Sequence, residues 1–498
     1  MHTSDDATEQ ARLRHVRPPG WRNPAPAPVY DLIAIGGGTA GLVCAMGAAG
    51  LGARVALVER HLLGGDCLNT GCVPSKALIT SARAVGALHR AASLGVVVPP
   101  YQVDGAAVMR RVRTRRADIA EHDAADRLAR AGVDVFLGQA RFADATSLVV
   151  DGHRLRFNRA VIATGARPVV PSIPGLDTVR CLTSETVFEM PDLPRRLAVL
   201  GAGPVGCELA QAFARLGTAV TLIDRAARVL PRDDADASAV VHRRLAAEGV
   251  SISMGTEVVR ATAVDGESRL QLGAGASSIT VIGADAVLVA VGRAAAVADL
   301  ALDAAGVQTT AHGVMVDDYL RTTNPRVYAV GDACGSHQFT HAADAMARLV
   351  LQNALFFGRR RVSRLVMPWV TYTSPEVAHV GVSHAEAAGS DGRISTITVP
   401  LSAVDRAIVD DETDGFVRVH HERGRLRGCT VVAPHAGEMI GEAAYAITHG
   451  GTLGQFSATV HPYPTASEAF RKAGDAYRRE ALSDGVRRWL GRYFAWTR

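Results

Sequence analysis

The chain has 498 residues, 48% of them apolar and 21% charged, with a formal net charge of +5. That length is ample for two to four domains with large cores, and the apolar content is ordinary for a globular protein. Fifty-two arginines and only two lysines, Lys76 and Lys472, carry the positive charge. They form no interleaved basic and aromatic stripe before the last twelve residues, which argues against a nucleic-acid module.

The first 29 residues are polar at the start and end in Pro24-Ala25-Pro26-Ala27-Pro28. They lack the apolar core of a signal peptide and any Cys-x-x-Cys pair, and read as a disordered lead-in. Asp31 to Ile35 then reads as a buried strand, followed by a glycine turn with G-x-G-x-x-G spacing at Gly36, Gly38 and Gly41. An apolar helix runs to about Gly50, and a second strand, Arg54 to Val58, ends in Glu59. The glycines permit a tight turn and close approach to a pyrophosphate at a helix N-terminus, and Glu59 is placed to bind a ribose hydroxyl. Leu32 to Ala53 is uncharged and long enough to cross a membrane, but its seven glycines belong to this nucleotide fingerprint.

Next comes Gly64-Gly65-Asp66-Cys67-Leu68-Asn69-Thr70-Gly71-Cys72-Val73-Pro74-Ser75-Lys76. Two cysteines five apart permit a disulfide across one distorted helical turn, strained and readily exchanged. The pair opens a helix, whose amide dipoles favour a thiolate. The other five cysteines, Cys44, Cys181, Cys207, Cys334 and Cys429, read as small core residues. An odd total at scattered spacings is no secreted disulfide framework, so the expected setting is a reducing cytoplasm.

The nucleotide unit then recurs. Arg196 to Leu200 is a strand, Gly201, Gly203 and Gly206 repeat the fingerprint, and Ala219 to Ile223 ends in Asp224. In both copies the acid lies 23 residues after the first glycine. Two copies imply two dinucleotides, one flavin and one nicotinamide. Asp224 favours NADH, because an acid binds a 2′-hydroxyl and repels a 2′-phosphate; Arg225 and Arg228 could accept that phosphate.

These motifs together resemble the pyridine nucleotide-disulfide oxidoreductases, a family that includes dihydrolipoamide dehydrogenase, glutathione reductase and mercuric reductase. The resemblance covers about residues 30 to 480. Ala163-Thr164-Gly165 resembles the family's crossover between nucleotide domains. Val291-Gly292-Arg293 resembles the return to the flavin domain, without the usual Pro-Asn after it. Thr323 to Asp332 resembles the second flavin motif, in which Gly331 precedes the aspartate that binds the ribityl chain. The implied fold is α/β: two Rossmann-type FAD- and NAD(P)-binding domains and a C-terminal α+β dimerisation domain. The implied boundaries are a lead-in at 1–29, FAD-binding parts at 30–165 and 291–365, an NAD(P)-binding domain at 166–290 and an interface domain at 366–498. By the same resemblance, electrons pass from NAD(P)H through FAD to the disulfide. Cys72 is the thiol nearest the flavin, forming the charge-transfer thiolate, and Cys67 is the interchange thiol. Lys76 and Glu208 are an ion pair beside the reactive flavin nitrogen. Members are homodimers, so Tyr463 and Glu468 are expected to face Cys67 of the other subunit.

The chain departs from disulfide-reducing members near its C-terminus. They carry a histidine base in a His-Pro-Thr-x-x-Glu pattern. Here His461-Pro462-Tyr463-Pro464-Thr465-Ala466-Ser467-Glu468 puts Tyr463 at the base position and keeps Glu468. Tyrosine, with a free pKa near 10, is a poor base at neutrality. The His-Pro-Tyr form and Leu209 to Gly217 resemble mercuric reductase, yet no cysteine follows Cys429, so that branch's C-terminal cysteine pair is missing. The resulting expectation is a flavoenzyme with an electrophilic acceptor, a metal ion or a quinone. The alternatives are a dihydrolipoamide dehydrogenase and a redox-sensing flavoprotein dimer with little turnover. No resident metal site is expected. The final twelve residues, with Trp489 and Trp496 among four arginines, could touch a membrane surface or pack on the dimer.

Overall fold

The computed structural model describes residues 7–273, 279–335, 337–480 and 482–498. Two compact units emerge, one from Met1–Arg225 with Val250–Leu365, the other from Ala226–Gly249 with Val366–Arg498.

The first unit begins where the sequence suggested disorder. Residues 7–16 form helix α1 (Ala7–Val16), in which Arg12 and Val16 are buried. The segment after it covers an edge of the first sheet. Trp21 Nε1 donates to the Val135 carbonyl at 3.2 Å, and the Leu137 amide donates to Asn23 Oδ1 at 2.8 Å. A disordered lead-in is therefore incorrect for residues 7–29; residues 1–6 lie outside the described residues. Composition misleads because this segment builds no core of its own. A few anchors suffice when the surface they dock on is already folded.

Strand β1 (Tyr30–Ile35), helix α2 (Thr39–Gly50) and strand β2 (Val55–Glu59) follow as the apolar runs indicate. Helices α3 (Gly65–Asn69) and α4 (Cys72–Arg90) carry the two cysteines, and α5 (Gly105–Ala120) and α6 (Ala125–Arg130) lead to β3 (Val133–Leu137). Strands β4 (Arg141–Asp144), β5 (Ser147–Val150) and β6 (His153–Ile162) complete the main run, in the order β3-β2-β1-β6-β5-β4, with Val327–Ala329 also beside β6. The strands from β3 to β6 are parallel, and β4, β5 and β6 form an antiparallel flap. Burial on both faces explains the continuous apolar runs of β1 and β2.

A second parallel sheet repeats the pattern around Arg196–Leu200, with Ala219–Asp224 and Ser251–Met254 on one side and Ala286–Val289 and Cys181–Leu182 on the other. Helix α7 (Pro204–Arg215) follows its glycine turn.

The second unit holds helix α8 (Ala235–Ala247) and a five-stranded antiparallel sheet from Pro368 to Ala433. Arg418 binds them by reaching Asp234 at 3.2 Å and Asp236 at 3.0 Å, and Trp369 Nε1 donates to Asp233 at 3.0 Å. The last helix, Asp484–Thr497, buries no side chain and exposes Trp489, Tyr493, Phe494 and Trp496. No helix among the described residues is long and apolar enough to cross a membrane.

The docking of α1 yields a direct test. Arg12 is 4% exposed and pairs with Glu9 and with Asn69 Oδ1. Arg12→Ala strips a buried pair of one partner and should cost about 3 kcal/mol in chemical denaturation. Arg14→Ala, on the exposed face of α1, should cost less than about 0.5 kcal/mol. Equal, small effects would mean that α1 does not pin the unit.

Candidate active site

The two glycine turns are near copies in atomic detail. Gly36 and Gly201 have φ of +110° and +108°, and a Cβ on either would lie 2.4 Å from a carbonyl oxygen, that of Ala163 or Ala290. A Cβ on Gly41 or Gly206 would lie 1.7 or 1.8 Å from the carbonyl oxygen of Gly36 or Gly201. Only glycine fits these approaches. The middle glycines differ: Gly203 has open space around it and Gly38 meets only Gly65 Cα at 3.6 Å, so both helix N-termini are accessible to a phosphate. Each terminal acid ties its turn. Glu59 Oε2 accepts from the Gly37 amide and Asp224 Oδ2 from the Ala202 amide, both at 2.6 Å. Burial pushes the Glu59 carboxyl above its ordinary range, against the pull of its amide donors.

The cysteine loop hangs from the first turn. The Gly64 amide donates to the Gly37 carbonyl at 2.8 Å, and Gly65 sits so close to Gly38 that a Cβ would lie 2.6 Å from its Cα. The cysteines do not share one helical turn as expected. Cys67 lies in α3 and Cys72 opens α4, with Thr70 and Gly71 breaking the helix between them. Asn69, inside the loop, is held from behind by Arg12 and by Arg116 Nη1, which donates to the Asn69 carbonyl at 3.0 Å.

Both cysteines are thiols in this structure, Cys72 exposed and Cys67 half-buried. Their chemistry is unequal. A hydrogen bond from Cys67 lowers the Cys72 thiol to about 6. The Thr340 hydroxyl, 3.3 Å from its sulfur, and the Lys76 charge act in the same direction against burial. Cys67 is pushed up by the same hydrogen bond and by burial. In the dithiol form Cys72 is therefore the thiolate and Cys67 keeps its proton. Lys76 Nζ lies 2.9 Å from Glu208 Oε2, so the expected ion pair forms, with Glu208 buried on α7.

Thr164, Gly165, Arg293, Gly331 and Asp332 gather in the same unit. Arg293 donates to the Ala166 carbonyl at 2.7 Å, lies 3.7 Å from Asp332 and pairs with Asp66, next to Cys67. Burial lifts Asp332 to about 6, although Arg293 opposes it. Thr164 Oγ1 and Thr70 Oγ1 are buried without a hydrogen-bond partner. Such orphaned hydroxyls, beside a turn whose middle glycine stands open, fit a polar cofactor such as FAD. Arg225 is exposed, 3.8 Å from Glu257, while Arg228 donates to the carbonyls of Pro231 and Asp233.

In the second unit Tyr463 is 70% exposed, and its hydroxyl donates to Asp405 Oδ2 at 3.0 Å. That carboxylate raises the phenol's pKa, making it a still weaker base. Glu468 is buried and pairs with Arg471. His461 is engaged elsewhere, with Nε2 2.9 Å from Glu442 and Nδ1 3.1 Å from the Thr459 carbonyl. Of the other five cysteines, Cys44, Cys207 and Cys429 are buried as expected, while Cys181 and Cys334 are only half-buried.

Sequence reasoning missed Thr340, Asn69, Arg12, Arg116 and Asp66. Asn69 and Asp66 lie within the quoted motif and could have been singled out. The rest are distant in sequence and carry no local signature.

Two dinucleotide turns in one chain, one abutting a cysteine pair with a low-pKa thiol, define a flavin- and nicotinamide-dependent disulfide oxidoreductase. Comparisons with known proteins agree. Residues 30–347 match the model for pyridine nucleotide-disulphide oxidoreductase, and residues 367–474 match the model for that family's dimerisation domain. The chain belongs to this family, whose members use FAD and NAD(P)H. It is 38% identical over 457 residues to a mercuric reductase of Streptomyces lividans, covering 90% of this chain and 96% of that one. It is 36% identical over 473 residues to dihydrolipoyl dehydrogenase 2 of Haloarcula marismortui, covering 91% and 97%. Among solved structures, the Cu(II) complex of the HOCl-induced flavoprotein disulfide reductase RclA of Escherichia coli superposes with a TM-score of 0.80 at 28% identity, covering 89% of this chain and 98% of that one.

The unequal thiols make a prediction. In the NADH-reduced protein, ultraviolet thiolate absorbance assigned to Cys72 should be present above about pH 6 and lost as pH falls through that value. Cys67→Ala removes the donor and should move the transition toward the ordinary cysteine range, by at least one unit. An unmoved transition would mean that the Cys67 hydrogen bond does not set it.

Proposed function

We propose that this FAD-dependent oxidoreductase passes electrons from NAD(P)H to Cys67–Cys72 and on to a soft electrophile, with a thiol-complexed metal ion favoured over a quinone. The observation that carries this reading is the position of Tyr463. Its hydroxyl is spent on Asp405, and Glu468 turns to Arg471. No imidazole stands where disulfide-reducing members hold their base. Disulfide exchange needs a proton donor for the departing thiol, whereas a soft metal ion is held by thiolates and accepts electrons without one. The likeness to mercuric reductases and to a flavoprotein solved with Cu(II) supports the same acceptor class.

When bound, FAD accepts hydride from the nicotinamide and delivers an electron pair to the disulfide. The chain's own residues do the rest. Gly36, Gly38, Gly41 and Glu59 would hold the FAD pyrophosphate and ribose, and Thr164, Gly165, Arg293, Gly331 and Asp332 would contact the rest of the cofactor. Gly201, Gly203, Gly206 and Asp224 would hold the nicotinamide dinucleotide. Asp224 and the commitment of Arg228 to backbone carbonyls favour NADH, with Arg225 left to contact a 2′-phosphate. Lys76, fixed by Glu208, supplies positive charge near Cys72 and would lie beside the bound cofactor. The working form is a homodimer in a reducing cytoplasm, with Tyr463 and Glu468 facing the interchange thiol of the other subunit.

Steady-state NADH oxidation by the FAD-loaded protein tests the acceptor. Turnover with thiol-complexed Hg(II) or Cu(II) should exceed turnover with lipoamide and disappear in Cys67→Ser. Tyr463→His should raise lipoamide turnover by about tenfold or more. Fast lipoamide reduction by the unaltered enzyme would make it a dihydrolipoamide dehydrogenase. Stoichiometric reduction by NADH without turnover on any acceptor would make it a redox sensor.

A further inference from the structure

Helix Asp484–Thr497 carries none of the residues assigned to the cofactor turns or the cysteine loop. It follows the span matched by the dimerisation-domain model, residues 367–474, and none of its side chains is buried. Two of the chain's four tryptophans lie on it, Trp489 at 64% and Trp496 at 85% exposure. The other two, Trp21 and Trp369, each spend the indole N–H on a partner within the fold. A large exposed apolar patch on a globular chain marks a contact surface.

The arrangement around the helix is sharply two-sided. At about 100° per residue, Val486, Trp489, Leu490, Tyr493, Phe494 and Trp496 share one arc of about 160°. The rings form a continuous array: Trp489 stacks on Tyr493 with centroids 6.0 Å apart, and Tyr493 meets Phe494 edge-on at 5.6 Å. Arg487, Arg488, Arg492 and Arg498 occupy the opposite arc with Gly491 and Ala495, and all four arginines are exposed. Arg487 and Arg492 stand at its two edges, one on each side of the aromatic face. Asp484 is the only carboxylate side chain among residues 484–498.

We propose that this helix lies flat on the surface of an anionic phospholipid bilayer, its aromatic face sunk among the headgroups and its arginines paired with lipid phosphates. The proposal is independent of the acceptor reading above. Aromatic rings with a polar edge suit the headgroup layer, and arginines at the rim of the apolar face reach back to phosphate while their stems stay among the acyl chains. The helix rests on the bilayer without crossing it, since no helix among the described residues is long and apolar enough to span one. A second copy of the helix is a poorer occupant. Its rim would set arginine against arginine, with no acidic partner at the edges. The apolar face of 14 residues, roughly 20 Å by 10 Å, covers about 200 Å², against about 800 Å² per partner in a stable interface. A lipid surface demands neither matching shape nor matching area, and its negative charge complements the arginines.

Flotation of the FAD-loaded full chain with vesicles of phosphatidylcholine, with and without about one-third phosphatidylglycerol, reads the binding. Binding to the anionic vesicles should exceed binding to phosphatidylcholine alone by about tenfold or more and should weaken at high salt. The double variants Trp489→Ser/Trp496→Ser and Arg488→Ser/Arg492→Ser should each bind about tenfold more weakly or worse, with FAD content and flavin reduction by NADH unchanged. Equal binding to the two vesicles, no binding to either, or unchanged binding in both variants would overturn the proposal. So would retention on immobilised polyglutamate without vesicle binding, which would make the partner an acidic protein. Conversion of the tryptophan variant from dimer to monomer in sedimentation, without vesicle binding by the unaltered chain, would likewise overturn it and give the face to a second copy.

Discussion

The redox loop is docked on the first glycine turn, and the site depends on that contact. The Gly64 amide bonds the Gly37 carbonyl, and Gly65 packs so closely on Gly38 that a Cβ on Gly65 would lie 2.6 Å from the Gly38 Cα. The turn itself is clamped by Gly36 against the Ala163 carbonyl and by Glu59 on the Gly37 amide. One backbone unit thus sets both the dinucleotide cradle and the cysteine pair, so the electron path needs no moving part to align it. The second turn repeats the cradle without a loop of this kind, consistent with a nicotinamide that comes and goes.

On that frame, small polar contacts divide labour between two identical side chains. Cys72 receives a hydrogen bond from Cys67 and lies near Thr340 and Lys76, and becomes the stable thiolate. Cys67 gives that hydrogen bond and faces an apolar cleft with one carboxylate, so it keeps its proton. Desolvation disfavours charge on both; the specific partners decide which thiol carries it. Asn69, gripped by Arg12 and Arg116, fixes the loop between them. Arg12 comes from a helix that precedes the span matched by the family models.

Much of this was legible in the sequence because the signals are local. Each fingerprint packs its strand, turn, helix and acid into one short stretch, and its first and last glycines are there because a carbonyl lies where a Cβ would be. The Lys76–Glu208 pair was also readable, but only through a resemblance, since nothing local joins residues 132 apart. What escaped has no local signature. Thr340 reaches Cys72 across 268 residues and Arg293 reaches Asp66 across 227. The N-terminal segment was misread because low apolar content was taken as inability to fold, although Arg12 and Val16 anchor α1, and Trp21 the stretch after it, to a finished surface.

The most direct measurement is single-turnover reoxidation of the NADH-reduced, FAD-loaded enzyme, mixed rapidly with thiol-complexed Hg(II) or with lipoamide while thiolate absorbance is followed. If the acceptor is a soft electrophile that needs no histidine base, the metal complex should discharge the dithiol at least about tenfold faster than lipoamide near neutral pH. Equal or faster discharge by lipoamide would contradict that claim and place the enzyme with the disulfide-exchanging members of its family.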